Sequence, residues 1–459
     1  MRQVEYLIIG VGTAGLGAYS RIRRKSRSLL LIQHGPFGTT CARVGCMPSK
    51  MLVTAAELAH NIDHGSYFGI DGGYKVDGKE VFARLKRDRA EKFVGEVLRA
   101  VDKIPKEIII QGEARFVAEN RIEVNGEEID AQKIILACGS SPFIPASLQP
   151  LAAELDTSDT IFELDELPQS IAVVGLGVIA LELGQAFHRL GVRTTFFGHS
   201  GRIGPFTLPE MQTECLRVLS QKLDIIPAGK FTSARKEGAQ FLLEYRTKAG
   251  EMIVREFERV VVASGRRSNV LNMDIDRSGL KLDGRGLPVY NPQTMQCGDA
   301  PLFLTGDANE DLPLWHEAYA EGRIAGDNAL IFPESKPVKR LVPLGIFFSD
   351  PQIAMVGKKY AELDPNKIVV GKALFANGPR HKIYDERDGQ FSVFAEKESG
   401  RILGAEIFGK GAEHFAHYLS LAITHSMTVQ NVLKAPFYHP CLEEVMKEAL
   451  NQARFQLAK

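Results

Sequence analysis

The sequence predicts an α/β protein with two parallel-sheet units of the doubly wound type, then a separate α+β segment. Three observations carry that prediction. A strand, glycine turn, helix and second strand follow one another within residues 4–32, and the same order returns within residues 170–197. From Val342 onward short strands are followed by helices. The chain has 459 residues, too many for one hydrophobic core, so two to four domains are expected.

The opening unit starts with an apolar run, residues 4–9, that reads as a short buried strand. It ends in Gly10-Val11-Gly12-Thr13-Ala14-Gly15, which fits G-x-G-x-x-G, and a helix-compatible segment follows. Residues 28–32 read as the next strand. This is the setting a dinucleotide fingerprint needs. Gly10 then makes the turn, Gly12 admits a pyrophosphate to the backbone, and Gly15 packs helix on strand. The helix N-terminus supplies the field for the anion. A glycine-rich turn with no ligand is the competing reading. The carboxylate that usually ends the second strand, to hold ribose hydroxyls, is absent, and Gln33 and His34 stand there.

Residues 41–50 read Cys-Ala-Arg-Val-Gly-Cys-Met-Pro-Ser-Lys and lead into a helix-compatible run, 51–60. In a regular helix Cys41 and Cys46 would stand roughly 8 to 9 Å apart, beyond the usual disulfide span of about 4.4–6.8 Å. Pairing them requires a bend, and Gly45 supplies the backbone freedom. Pro48 fits only a first helical turn or a kink. Lys50 lies four residues after Cys46, so on a helix they share a face, and both a cation and a helix N-terminus favour thiolate. The pattern suits a redox-active dithiol. Two buried cysteines or two metal ligands remain open, although the second cysteine pair of a zinc site is missing.

Residues 53–99 read as mostly helical, interrupted around the glycine-rich 65–73, with the charged run 84–92 as a solvated face. Short β runs follow at 108–110, 121–124 and 133–137, closed by a turn at Cys138-Gly139-Ser140. Cys138 reads as a packed small residue. The second copy has a strand at 170–174, the turn Gly175-Leu176-Gly177-Val178-Ile179-Ala180, a helix at 181–190 and a strand at 194–197. Ala180 replaces the third glycine, which the fingerprint allows. Again no carboxylate ends the second strand, where Gly198-His199-Ser200-Gly201-Arg202 stands. A cation without an acid suits a 2′-phosphate, and a glutamate installed at Gly198 is expected to shift preference towards NAD(H). These two copies make the first two domains Rossmann-like and dinucleotide-binding.

A strand over 260–266 ends in Gly265-Arg266-Arg267, and one over 302–307 ends in Thr305-Gly306-Asp307. An acid at the carboxyl end of a sheet strand is placed to meet a ligand, or it caps the helix expected at 315–328. The C-terminal segment reads as strands at 345–348, 367–376, 390–396 and 401–407, then helices at 412–425 and 441–456. It contains Tyr438-His439-Pro440-Cys441-Leu442-Glu443-Glu444. His439 with Glu444 five residues on has the form of a base with an orienting carboxylate. A loop histidine kept for structure gives the same pattern.

Composition narrows the class. Hydrophobic residues make up 44% and charged residues 24% of the chain, as in ordinary soluble globular proteins. Lys and Arg number 56, as do Asp and Glu, which removes any argument for nucleic acid or anionic membrane as a generic partner. No run is long enough to span a bilayer. The first strand begins almost at Met1, so no signal peptide is expected, and six cysteines make no secreted disulfide framework. A cytoplasmic location is therefore expected.

Taken in order, residues 10–15, 41–50, 175–184, 305–307 and 439–444 resemble the flavin-dependent pyridine nucleotide-disulfide oxidoreductases over nearly the whole chain. Within that family the dihydrolipoamide dehydrogenases are the most similar in pattern. The resemblance implies FAD on the first fingerprint, NAD on the second with NADP also allowed, no metal, and a homodimer. It implies a FAD-binding domain at 1–147 and an NAD(P)-binding domain at 148–266. A central domain at 267–338 would complete the FAD site, and an α+β dimerisation domain would occupy 339–459. Cys41 would exchange with the substrate disulfide and Cys46 would face the flavin. Lys50 would pair with Glu182, and His439 of the opposite subunit would be the acid/base, oriented by Glu444. The FAD contacts would be Gly10, Gly12, Thr13, Ala14, Gly15, Gln33, Thr40, Lys50, Gly139, Asp307 and His316. Those of the nicotinamide dinucleotide would be Gly175, Gly177, Val178, Ile179, Glu182, His199, Arg202 and Gly265.

The expected reaction oxidises dihydrolipoamide with NAD+, with the lipoyl domain of a 2-oxo acid dehydrogenase complex as a partner. An NAD(P)H-dependent reductase of another disulfide or of a metal ion, and a subunit serving mainly to assemble a multienzyme complex, are the alternatives. Ser20 and Val178 stand where glutathione reductases carry an arginine and a tyrosine, which disfavours glutathione. Residues 38–43 read Gly-Thr-Thr-Cys-Ala-Arg where the family pattern is G-G-T-C-L-N, and Cys441 stands where Thr is common. These departures bear on substrate and cofactor preference rather than on reaction class.

Overall fold

The computed structural model describes residues 1–458. The chain forms two compact units, each discontinuous in sequence. One gathers residues 1–48, 84–143 and 266–341; the other gathers 49–83, 144–265 and 342–459.

The first unit is built on a seven-stranded sheet. Strand β1 (Arg2–Ile9) lies between β2 (Leu29–Gln33) and Glu127–Leu136, parallel to both. Leu7, Ile8, Leu31 and Ile32 are fully buried, as expected of parallel strands covered on both faces. Ile109–Gln111 extends the sheet beyond β2, and the antiparallel pair Arg121–Val124 and Ala114–Ala118 closes the other side. Leu302–Leu304 returns from far along the chain to pair in parallel with Glu127–Leu136. Helix α1 (Thr13–Ile22) packs against the long helix Trp315–Ile331.

The second unit has a five-stranded parallel sheet in the order Asp224–Ile226, Arg193–Phe197, Ser170–Val174, Arg259–Val262 and Asp156–Thr157. A three-stranded antiparallel sheet, Gly229–Glu237 to Met252–Phe257, packs Phe241, Tyr245 and Phe257 onto Val174, Phe197 and Val262. The C-terminal stretch forms an antiparallel five-stranded sheet whose apolar face is covered by Ala412–Thr424 and Glu444–Leu457. These layers are tied by polar bonds. Gln185 on helix Val178–Arg189 exchanges two 2.6 Å hydrogen bonds with the backbone of Asp350, and Arg189 pairs with the Asp350 carboxylate. Glu406 on strand Ile402–Phe408 is fully buried and accepts from Thr207 N (3.0 Å), Thr207 Oγ1 (2.6 Å) and Leu208 N (3.1 Å). It thereby fixes the two residues that lead into helix Pro209–Lys222, Leu208 being its N-cap.

Several elements differ from the sequence expectations. The strand expected over 260–266 is two strands, Arg259–Val262 and Arg266–Ser268, because Gly265 takes φ +115° and turns the chain. Strand Leu302–Leu304 stops before Thr305, and Asp307 lies in a short 3-10 turn. The last helix begins at Glu444, not at 441. Strand Ile353–Gly357 and helix Val429–Leu433 were not expected. Both are only five residues long, too short to show a period. Among the described residues no helix is long and apolar enough to cross a membrane, and no cluster of His, Cys, Asp or Glu could hold a metal.

Candidate active site and dinucleotide cradles

The two cysteines flank a break in the backbone. Cys41 lies in the first turn of α2 (Thr40–Val44), whose N-cap Thr39 accepts from Ala42 N at 3.3 Å. At Gly45 the chain leaves helical geometry (φ −121°, ψ −114°), and Cys46 opens α3 (Cys46–His64). A methyl on Gly45 would stand 3.2 Å from Cys41 Cα, a measure of how tightly the chain doubles back. Pro48 sits in the first turn of α3, where its missing N–H interrupts no helical bond. Both cysteines are half-buried. The bend anticipated at Gly45 is present.

Lys50, one turn further along α3, places Nζ 2.6 Å from Glu182 Oε2 and 4.8 Å from the centre of the Phe348 ring. Glu182 is buried, and its other oxygen accepts from Phe348 N at 2.8 Å. The carboxylate is therefore satisfied on both sides and holds the ammonium in one place. Phe348 is a neighbour that sequence reasoning missed. Nothing local could have revealed it, because it is brought to α3 only by the remote 344–347 strand.

His439 and Glu444 also meet, with Nδ1 3.0 Å from Oε1. The His439 side chain is 72% exposed, so the rest of the ring faces outward. Burial acts to raise the Glu444 carboxyl, but the His439 bond, the Cys441 N–H and nearby Lys447 outweigh it and hold the group below its usual range. The Cys441 thiol donates to Tyr438 O at 2.9 Å, and burial followed by Glu443 pushes it up.

The first glycine turn is a tight cradle. Gly10 takes φ +108°, and a methyl on Gly15 would stand 1.8 Å from Gly10 O. Gly12 opens on empty space, with nothing within 4 Å of where its Cβ would be. Thr13 and Ala14 start α1 over this opening. Gln33 is engaged with the turn itself, since its Oε1 accepts from Val11 N at 2.8 Å and its Nε2 donates to His34 O at 2.7 Å. Asp307 accepts from Ser140 Oγ at 3.3 Å. Burial raises its carboxyl against the opposing pull of Arg266 and Ser140. Gly139, beside Ser140, takes φ +69°. Thr40 is the first residue of α2. His316 carries a buried Nε2 that has no protein partner among the described residues. Cys138 is a packed residue whose thiol burial pushes up to about 12.

The second turn repeats the first. Gly175 takes φ +128°, Gly177 again opens on empty space, and Val178 and Ile179 start the helix. A methyl on Gly175 would meet Ala263 O at 2.5 Å, and Gly265, two residues on, has nothing within 4 Å of its Cβ position. His199 and Arg202 are exposed; His199 Nδ1 lies 3.1 Å from Gly229 O. The expectation that a carboxylate could simply be installed at Gly198 is overturned. A Cβ there would stand 2.2 Å from Pro227 O and 2.4 Å from Leu176 Cδ1, and Tyr245 donates its hydroxyl to Gly198 O. The residue lacks an acid because it has room for no side chain.

Residues 4–322 match the model of the pyridine nucleotide-disulphide oxidoreductases, and residues 343–450 match the dimerisation domain of the same family. The chain is similar to the dihydrolipoyl dehydrogenase of Haloferax volcanii, 29% identical over 471 residues, covering 98% of this chain and 96% of that one. It is also similar to the mercuric reductase of Staphylococcus aureus, 27% identical over 442 residues, covering 93% and 78%. Among solved structures, LpdA from Mycobacterium tuberculosis superposes with a TM-score of 0.79 at 21% identity, covering 98% and 99%. The copper(II) complex of the HOCl-induced flavoprotein disulfide reductase RclA from Escherichia coli does so at 0.78 and 20%, covering all of both chains. These two likenesses concern the fold alone. The family binds FAD and NAD(P). With both cradles, the split dithiol helix and a matched dimerisation domain, the chain belongs to the pyridine nucleotide-disulphide oxidoreductase family.

Proposed function

We propose that this flavin disulfide oxidoreductase oxidises dihydrolipoamide with NAD+, using Cys41 and Cys46 as its redox disulfide. The observation that carries the reading is His439, held through Nδ1 by Glu444 while its ring stays exposed. Oxidation of a dithiol releases two protons, and such a histidine is built to accept one. Full-length relatives named dihydrolipoyl dehydrogenase support the substrate class.

FAD and NAD(P) fit the residues present. Gly12 and Gly177 leave open backbone where a Cβ would intrude, and the orphan Nε2 of His316 can take a polar cofactor atom. Gly10, Gly12, Thr13, Ala14, Gly15, Gln33, Thr40, Lys50, Gly139, Asp307 and His316 would hold FAD. Gly175, Gly177, Val178, Ile179, Glu182, His199, Arg202 and Gly265 would hold the nicotinamide dinucleotide. When bound, the flavin supplies two-electron transfer between the dithiol and the nicotinamide.

His439 of the partner protomer removes a proton from one substrate thiol, and the thiolate attacks Cys41 Sγ. The Cys41–Cys46 bond breaks, a mixed disulfide forms and Cys46 leaves as thiolate, a step favoured by the ammonium of Lys50 and the helix start. The second substrate thiol then displaces Cys41, so the substrate leaves as a cyclic disulfide. The two electrons gained by the cysteines pass on to NAD+. Glu182 keeps Lys50 in place.

A second reading, reduction of a thiophilic metal ion, is favoured by the Cys441 thiol beside His439 and by relatives named mercuric reductase. The test is anaerobic turnover of the purified holoprotein with NADH as reductant and lipoamide, glutathione disulfide or mercuric ion as oxidant in parallel, lipoamide reporting the proposed reaction run in reverse. Lipoamide is expected to be fastest, and Cys41→Ser and Cys46→Ser to abolish it. Mercuric ion turning over faster than lipoamide would refute the substrate assignment. Refolding Cys41→Ser together with His439→Ala should restore about a quarter of wild-type activity, because random association in an isologous dimer makes half the dimers heterodimers and each of those has one intact shared site. A mixture that stays inactive, with heterodimers present, would refute the shared site.

A further inference from the structure

Behind the turn that carries Asp307 lies a buried ionic cluster that the redox chemistry does not use. Glu321 is 1% exposed and Glu317 is fully buried, one turn apart on helix Trp315–Ile331. Glu321 Oε2 accepts from Gly306 N at 2.7 Å and from Asn309 Nδ2 at 2.8 Å. Its bonds therefore grip both ends of the 3-10 turn Gly306–Asn309, with Asp307 between them. Glu321 Oε1 accepts from Arg340 Nη2 at 2.5 Å, and the same nitrogen donates to Glu317 Oε2 at 2.9 Å. Glu317 Oε1 and Arg340 Nε are buried with no partner among the described residues. Two carboxylates thus share one guanidinium, and burial leaves one negative charge uncompensated.

We infer that Glu321 is a positioning residue for cofactor binding, its carboxylate tethering the Gly306–Asn309 turn so that Asp307 is held in place to receive FAD. The inference rests on the reading of Asp307 as an FAD contact. A carboxylate accepts N–H bonds more strongly than a carboxylic acid, so the tether is firm when Glu321 is ionised and slack when it is protonated. Burial pushes Glu321 up to about 7, against the opposing pull of Arg340, Gly306 N and Asn309, with Glu317 adding to the rise. Tyr290 also faces the cluster, interacting with Glu321 and Arg340, and Asp311 lies near Tyr290. Asp307 itself is the group being positioned. Retention of FAD should therefore weaken as pH falls through neutrality. Arg340 sets the midpoint, because losing the guanidinium would favour the protonated form.

The experiment is FAD titration of the apoprotein, followed by flavin fluorescence, from about pH 8 to about pH 6. Wild type should show a rising Kd towards low pH. Glu321→Gln should raise Kd at pH 8 about tenfold and remove the pH step, which a role confined to fold stability would not do. Arg340→Met should keep the step and move its midpoint upward. A flat wild-type profile overturns the inference even if both variants fail to fold. So does a Glu321→Gln protein whose Kd and pH step match wild type while Asp307→Ala has lost FAD. If Asp307→Ala also binds FAD normally, the reading of Asp307 falls and the inference falls with it.

Discussion

The two glycine cradles share a backbone plan and differ at their ends. Gly10 and Gly175 both take positive φ and pack against the neighbouring strand, so that an added methyl would stand 2.2 Å from Ala137 O in one and 2.5 Å from Ala263 O in the other. Gly12 and Gly177 both face open space. Beyond the second strand they part. In the first cradle Gln33 folds back onto the turn and bonds Val11 N. In the second the equivalent place is Gly198, walled in by Pro227 and Leu176, and the polar character passes to His199. The comparison teaches that the open backbone is a property of the shared turn. The strand end is set by the packing around it.

The sharpest way to break the comparison is to fill one opening at a time. Valine fits the backbone of Gly12 (φ −84°) and of Gly177 (φ −78°), and nothing in the protein blocks its Cβ. Gly12→Val should purify folded but without flavin, whereas Gly177→Val should keep flavin and bind nicotinamide dinucleotide about 100-fold more weakly. Flavin content and dinucleotide titration check this, and loss of flavin from both variants would show that the cradles are not separable.

A smaller effect should separate the third positions. Gly15→Ala would drive a methyl into Gly10 O, 1.8 Å away, and should cost about 3 kcal/mol of stability in the flavin-free protein. Ala180→Gly only adds backbone freedom to a helix and should cost about 1 kcal/mol. Denaturant unfolding of the two variants decides whether the turns differ in this way. Equal losses would mean that the methyl at Gly15 is absorbed by backbone movement.

The smallest expected change concerns the ribose end. Since Gly198 cannot carry a side chain, the charge has to be placed next door. His199→Glu should shift the ratio of specificity constants towards NAD(H) by about tenfold, by repelling a 2′-phosphate. An unchanged ratio would remove residues 198–202 from cofactor choice.

What was readable in the sequence was what local chemistry dictates. The strand Ser170–Val174 stands where its apolar run begins and ends, and the helix break at Gly45 was visible because Pro48 and the cysteine spacing allow little else. What was hidden depends on residues far apart in the chain. The missing acid at Gly198 looked like a preference for a phosphate, yet a Cβ there is blocked by Pro227 and Leu176, which lie more than twenty positions away on either side. Glu321 reads as an ordinary helical glutamate, and only the fold places it under Gly306. The 260–266 run is apolar enough for one strand, but a single glycine dihedral divides it. Local pattern reports turns and faces; it does not report which distant side chain completes them.

Glu406 has a consequence for how such chains can be cut and recombined. The helix Pro209–Lys222 belongs to the second parallel-sheet layer, yet the N–H groups of Thr207 and Leu208, which lead into it, are satisfied by a carboxylate supplied from strand Ile402–Phe408, some two hundred positions later. A fragment ending near residue 266 would lose that cap, and a hybrid joining it to another protein's C-terminal half would inherit an exposed helix start unless the new half carried an acid at the same register. The layer is a recognisable motif without being a transplantable part, and inheritance of the two segments is expected to be linked through that one side chain.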